Sequence, residues 1–199
     1  MALPVSPLQV RKQQFVREAI WDAAIDLFAV QGYDETTVED IAAAAGVSRR
    51  SFFRYFASKS ELMAHGLFSY GDDVAEAIVA CPENAPLPEV LRETVLRVAR
   101  KSAEQPRTRK ILQIAAKYPA AREAQMAGVA ELQHRVAAAF AQRREAAGDA
   151  LLPGLLAGVT LSALSVTLRT WFEQGEGDIA ATVALVFATL GRVLGDRSR

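Results

Sequence analysis

The stretch TTVEDIAAAAGVSRRSFFRYFASKSEL, Thr36 to Leu62, decides the architecture of this chain. Thr36-x-x-Glu39 has the spacing of a capping box, and Val38, Ile41, Ala42 and Ala45 recur at helical intervals behind it. A helix therefore starts here and buries one side. Gly46 ends it, supplying the positive φ that a tight turn requires, while Ala42 is small enough for a second helix to cross close by. Ser48 is a good N-cap for that second helix, which the pattern places from Arg49 to about Phe56. Phe52 and Phe56, four residues apart, face inward with Val47 in the wedge between the helices. Arg49, Arg50, Phe53 and Arg54 are left on the outer surface. The pattern is that of a helix-turn-helix.

Outward from this segment, proline and glycine punctuate further helical patterns, and no alternating β-branched run reads as a strand. The chain is expected to be all-α. A first helix, from about Leu8 to Gln31, carries a stripe of Val16, Ile20, Ala23 and Leu27 with Phe15 and Phe28 beside it, and Gly32 is placed as its left-handed C-cap. After Ser58-x-x-Glu61, another capping box, a long helix continues to about Ala80 before Pro82. Helices from Pro88 to Gln105 and Arg107 to Tyr118 come next, then an alanine-rich one from Pro119 to near Gly148. Two apolar helices close the series, Leu151 to Gln174 and Asp178 to Leu194, for about nine helices in all. The expected division is a three-helix reading domain over residues 1–57 and a larger helical domain over 58–199.

Composition narrows the function. Hydrophobic residues make up 51% of the 199, enough for a core without staples, and the single Cys81 rules out an internal disulfide. No secretory signal is evident in Met1 to Gln9, and a cytoplasmic setting is expected. Ala150 to Leu168 runs 19 residues without a charge, but its glycines, serines and threonines fit a helix buried in protein better than one in a membrane. Two histidines, His65 and His134, show no metal-ligand spacing, and no phosphate-binding glycine loop or nucleophilic constellation occurs. No metal, no cofactor and no enzymatic activity are expected.

The formal net charge of zero at first opposes a nucleic-acid partner. Segregation reverses that reading. From Ala42 to Ser60 there are four cations (Arg49, Arg50, Arg54, Lys59) and no acid, so the local field is positive although the sum is nil. Arginine can donate two parallel hydrogen bonds to guanine in the major groove, and the exposed Phe53 can lie against a thymine methyl. Thr37 and Ser48 at two helix starts, and Lys59, suit phosphate oxygens. Tyr55 can pack its ring while its hydroxyl reaches a phosphate.

Thr-Thr-Val…Ile-Ala…Ala-Gly-Val-Ser…Phe-x-Tyr-Phe-x-Ser-Lys-x-x-Leu resembles the DNA-binding domain of the TetR family of regulators, over about Arg11 to Leu67. The resemblance implies a homodimer that binds double-stranded DNA at an inverted-repeat operator, as a repressor released by a small effector. An effector-independent or activating regulator is the alternative. It places Thr37, Ser48, Tyr55 and Lys59 on phosphates, and Arg49, Arg50, Ser51 and Phe53 toward bases. Many members have tyrosine where this chain has Phe53, so an apolar base contact is expected there. Ser48 to Phe56, SRRSFFRYF, is also similar to a subgroup with mycofactocin-type regulators, which implies acyl-CoA effectors.

The last two helices carry more apolar surface than one stripe needs, and the family likeness implies that they pair with the same helices of a second subunit. A largely apolar effector is expected among the middle helices, with Phe68, Tyr118, Met126, His134 and Trp171 as candidate lining residues. Core packing accounts for each of these five equally well.

Overall fold

The computed structural model describes residues 7–195, apart from the side chains of residues 7, 10 and 67–69. Phe68, a candidate pocket residue, therefore lies outside the described side chains. Ten α-helices and no strand occur among the described residues: α1 (Pro7–Val30), α2 (Val38–Ala44), α3 (Arg49–Tyr55), α4 (Lys59–Val79), α5 (Leu87–Glu104), α6 (Pro106–Lys117), α7 (Pro119–Met126), α8 (Val129–Ala141), α9 (Leu152–Glu173) and α10 (Ile179–Leu194). The alanine-rich helix expected from Pro119 to Gly148 is broken in two at Ala127-Gly128 and ends at Ala141, which accounts for the extra element. Glycine weakens a helix interior by about 1 kcal/mol, and the alanines on either side offer little surface to hold it straight.

The helices form two compact units, Met1–Gly66 with Gln113–Ala127, and Leu67–Leu112 with Gly128–Arg199. The boundary expected at residue 57 is thus displaced. The first two turns of α4 belong to the first unit, because Leu62, Met63 and His65 are buried there. So does the segment from the end of α6 through α7, with Ile114 and Ala121 buried. The unit border falls inside two helices, α4 and α6.

In the first unit, α1 buries Ile20, Trp21, Ala24, Ile25 and Phe28, a stripe turned from the expected one. Phe15, assigned to it from sequence, is 76% exposed. α1 is apolar on more than one side, so periodicity alone does not fix its rotation; the large rings at Trp21 and Phe28 do.

In the second unit, α9 packs against α8, α5 and α10 and buries Leu156, Ala157, Thr160, Ala163, Leu164, Thr167, Leu168 and Trp171. By length and composition α9 could also cross a membrane, with mean hydropathy 1.4. Gly71 on α4 faces Leu132 so closely that a Cβ there would come within 2.8 Å of its Cδ1. The end of α4 is held by Arg143, which the sequence reading did not single out. Its buried guanidinium donates to the carbonyls of Ile78, Cys81 (2.8 Å), Pro82 and Glu83 (3.2 Å). Carbonyls at a helix C-terminus lack partners and carry partial negative charge, so a cation there satisfies both needs.

Ile78 O and Pro82 O also accept from the Cys81 and Ala85 amides, so Arg143→Met should leave chiefly the carbonyl of the buried Cys81 without its partner. The expected loss is about 2–3 kcal/mol of unfolding free energy, read from urea denaturation followed by circular dichroism; an unchanged midpoint would show that water replaces the guanidinium without cost.

Candidate nucleic-acid interface

The reading head begins with a cap one residue later than the sequence pattern suggests. Thr37, not Thr36, is the N-cap of α2, and its partner is Asp40 rather than Glu39. The Asp40 amide donates to Thr37 Oγ1 (3.1 Å), and the Thr37 amide and hydroxyl both donate to Asp40 Oδ2 (3.0 and 2.6 Å). These bonds hold the Asp40 carboxyl below its usual range. Thr36 is instead buried, its hydroxyl donating to Gly32 O at 2.6 Å. Both threonines are needed: one closes the turn before α2, the other caps the helix.

Gly46 takes φ +65 at the turn, and Ser48 caps α3 by accepting from the Ser51 amide at 3.1 Å. Phe52 and Phe56 are fully buried, with ring centroids 6.1 Å apart. This fixes the roll of α3 and leaves Arg49, Arg50, Phe53 and Arg54 exposed. Ser51 and Tyr55 are half-buried at its edges.

The outward face is already partly organised. Arg49 Nε meets Glu39 of α2 at 3.0 Å and lies 5.5 Å from the centroid of Phe53, which is 45% exposed. Arg54 lies over the Tyr55 ring at 5.0 Å and donates to its hydroxyl at 3.4 Å. A groove of about 310 Å³ beside them is lined by Gln13, Gln14, Arg17, Arg54 and Tyr55. Arg50 is exposed on the same face.

Lys59, expected at a phosphate, has its ammonium engaged within the protein. Its three ammonium donors go to the carbonyls of Tyr33 (2.7 Å), Thr36 (3.1 Å) and Asp34 (3.2 Å), and its charge sits 4.5 Å from the Tyr33 ring centroid. An ammonium has three protons, and in the DNA-free chain all three are engaged.

Behind α3, His65 of α4 is buried with its ring 5.2 Å from both Trp21 and Phe56, edge-on to each. Glu18 Oε1 lies 3.6 Å from its Nε2, and Arg17 sits over the far side of Phe56 at 5.0 Å while meeting Glu61 at 3.8 Å. Burial, then the Arg17 charge, push the His65 pKa below its ordinary value, outweighing the upward pull of Glu18 and Glu61.

The candidate effector residues differ in their surroundings. Met126 and His134 are exposed. Trp171 is buried and donates to Gly177 O at 2.9 Å, closing the α9–α10 turn. Tyr118 belongs to the first unit, where its hydroxyl lies against Gly32. The second unit does contain polar atoms without hydrogen-bond partners: the hydroxyls of Thr94 on α5 and Thr167 on α9 are buried and unsatisfied. Periodicity assigns such threonines to a core face and cannot show that their hydroxyls lack an acceptor.

Two family profiles match the chain: bacterial regulatory proteins of the tetR family over residues 20–65, and the MftR C-terminal domain over residues 85–195. A mycofactocin biosynthesis transcriptional regulator, MftR, of Mycobacterium tuberculosis is 46% identical over 52 residues, 26% of each chain. The regulator TcmR of Streptomyces glaucescens is 49% identical over 55 residues, 28% of this chain and 24% of its own. The matches to these two curated relatives thus span about a quarter of their length. Among solved structures, NalD, a secondary repressor of a multidrug efflux pump in Pseudomonas aeruginosa, aligns over 92% of this chain and 96% of its own, with TM-score 0.61 and 21% identity. The SmeT–triclosan complex aligns over 87% and 90%, with TM-score 0.59 and 22% identity.

The His65 cage predicts a pH dependence whose sign follows from proton binding. The folded state holds the imidazole neutral, while the unfolded chain takes up a proton at about pH 6.5. Stability from this group is complete above that value and is lost as the pH falls through the lower folded pKa. The melting temperature should drop between about pH 7 and 5.5, and less steeply in His65→Phe; parallel pH profiles for the two proteins would mean that His65 does not titrate there.

Proposed function

Because the chain belongs to the TetR family of bacterial regulatory proteins and carries an MftR-type C-terminal domain, we propose that it is a homodimeric, operator-binding transcriptional repressor gated by a small molecule. One observation carries the DNA-binding part: the buried Phe52–Phe56 pair turns Arg49, Arg50, Phe53 and Arg54 outward together on a helix capped by Ser48. Arg50 and Arg54 supply donors for base edges and phosphates, and Phe53 an apolar contact for a thymine methyl. Arg49 reads only after exchanging Glu39 for DNA, or else braces α3 against α2. Ser48, Tyr55 and Thr37 line the phosphate side, and Ser51 lies toward the bases. The Thr37 proton must be shared with Asp40, which makes its contact weaker than that of Ser48.

Dimerisation is supported by the exposed face of the last two helices. Leu155 and Val166 on α9, and Leu185 and Val193 on α10, are 64%, 39%, 54% and 77% exposed. Pairing of this face with its copy covers them and sets two reading helices for an inverted repeat. For the effector, SmeT in complex with triclosan gives a precedent in this fold for a compact, mostly apolar ligand. The unpartnered hydroxyls of Thr94 and Thr167 are the groups in this chain that would recognise a ligand's polar atoms. Regulation in the cytoplasm follows from the DNA partner.

Arg50→Ala combined with Arg54→Ala should abolish retention of a specific operator in a gel shift while the dimer stays folded, and wild-type affinity should fall steeply with salt. Undiminished retention by the double variant would remove α3 from the interface. Leu185→Glu should convert a dimer to a monomer in light scattering at micromolar concentration and weaken operator binding in step; a dimer of unchanged stability would place the subunit contact elsewhere.

A further inference from the structure

Glu39 is an exposed acid beside a surface read as facing a polyanion, and the helix that carries it does not need it there. The cap of α2 is closed by Thr37 and Asp40, which frees the Glu39 carboxylate from that duty. It meets α3 instead, with Oε1 3.0 Å from Arg49 Nε and the two side chains 59% and 67% exposed. Ion pairs as exposed as this contribute little to stability. Phe53, one turn further along α3, has its ring centroid 5.5 Å from the same guanidinium. The reading head thus presents a cation and an anion side by side in the first turns of α2 and α3, and neither cap nor core explains the anion.

A DNA duplex offers an edge that matches such a pair. In the major groove a G·C pair shows guanine N7 and O6, both acceptors, followed by the cytosine N4 amino donor, whereas an A·T pair shows acceptor, donor, acceptor. O6 and N4 are hydrogen-bonded to each other across the base pair, so they stand about 3 Å apart. Arg49 and Glu39 hold groups of the opposite polarity at that same spacing.

We propose that Glu39 and Arg49 read one G·C pair together: Arg49 donates to guanine O6 and N7 while the Glu39 carboxylate accepts from the cytosine N4 amino group. This rests on the DNA-binding reading above and deepens it, making Glu39, on the helix ahead of the reading helix, a specificity-determining contact. Each member of the ion pair exchanges the other for the base of matching polarity, so both keep a partner when DNA binds. A phosphate would take the arginine alone and strand the carboxylate beside the backbone. Exchange with a G·C pair is therefore favoured over exchange with phosphate, and the pair serves discrimination as well as affinity.

The test compares wild type, Arg49→Ala and Glu39→Ala on a duplex that the wild type selects from a randomised pool. Both side chains are exposed and neither caps a helix, so the variants keep the fold, which circular dichroism checks. Arg49→Ala should lose the preference at one position per half-site, and that position should hold a G·C pair. Two base analogues placed there separate the two contacts. 7-Deazaguanine removes the N7 acceptor and should weaken the wild type about tenfold but Arg49→Ala less than twofold. N4-Methylcytosine fills the place of the major-groove amino proton and should weaken the wild type about tenfold but Glu39→Ala less than twofold.

Glu39→Ala should keep its sensitivity to 7-deazaguanine. If that sensitivity is lost, Glu39 only braces Arg49, and the cytosine contact is overturned. Equal responses of wild type and Glu39→Ala to N4-methylcytosine overturn it as well. So does an Arg49→Ala protein with unchanged preferences, or a pair other than G·C at the Arg49 position. In each of these cases the wild type still selects a sequence, and the DNA-binding reading stands. A wild type that selects none brings down that reading, and the G·C contact with it.

Discussion

The structure of the reading head depends on burying two phenylalanines four residues apart. Phe52 and Phe56 are the inner side of a seven-residue helix, too short to be stable by itself. Each ring contributes roughly 1.5–3 kcal/mol when fully buried, so α3 exists because it is nailed down from behind. A roll of one residue, about 100°, would expose a ring and drive an arginine inward. An unpaired buried guanidinium costs several kcal/mol more. Both terms favour the same orientation, and the direction of Arg50 is set by residues that never meet a ligand.

Behind that nail the structure is polar as well as apolar, with opposite signs divided by position. Glu18, Glu61 and Arg17, each partly exposed, surround the His65 cage, while the cations of α3 face out. A formal charge of zero is compatible with a DNA surface because charges beyond about 8 Å at physiological salt are largely screened. What a phosphate encounters is the local set. Glu39 and Asp40 are nearby acids, and both are engaged: Glu39 by Arg49, Asp40 by the Thr37 cap. They cost binding less as paired groups than their count suggests.

Much of this was legible in the sequence, and the failures have causes. The helix-turn-helix was readable because Gly46, Ser48, Phe52 and Phe56 each satisfy a local rule that tertiary contacts only reinforce. The cap at Thr37 was misread by one residue because Thr36-x-x-Glu39 and Thr37-x-x-Asp40 overlap, and the choice is made by Thr36 turning back to Gly32, a bond no pattern reports. The placement of the Lys59 ammonium was hidden for a related reason. A lysine after a recognition helix looks the same whether its ammonium faces water or folds back onto carbonyls 23 to 26 residues away. Membership of Tyr118 in the first unit is long-range in the same sense. Effector residues were least legible, since apolar lining and apolar packing use the same amino acids.

The apolar face of α9 and α10 shows how a local ambiguity is settled by arrangement. The length and hydropathy of α9 alone fit a bilayer. Yet one side of that helix is already committed to α5, α8 and α10, and its outer side carries Ser162, Ser165 and Arg169 among Leu155 and Val166. Lipid gives no hydrogen-bond partner to serine and penalises arginine, whereas a protein surface with a polar rim accommodates both. On α10 the exposed residues likewise mix Leu185 and Val193 with Thr189 and Arg192, which bond to each other at 3.2 Å. A stripe of this composition suits a second folded chain. On the proposed homodimer reading, a two-fold axis would present the same apolar centre and the same polar edge from the opposite side.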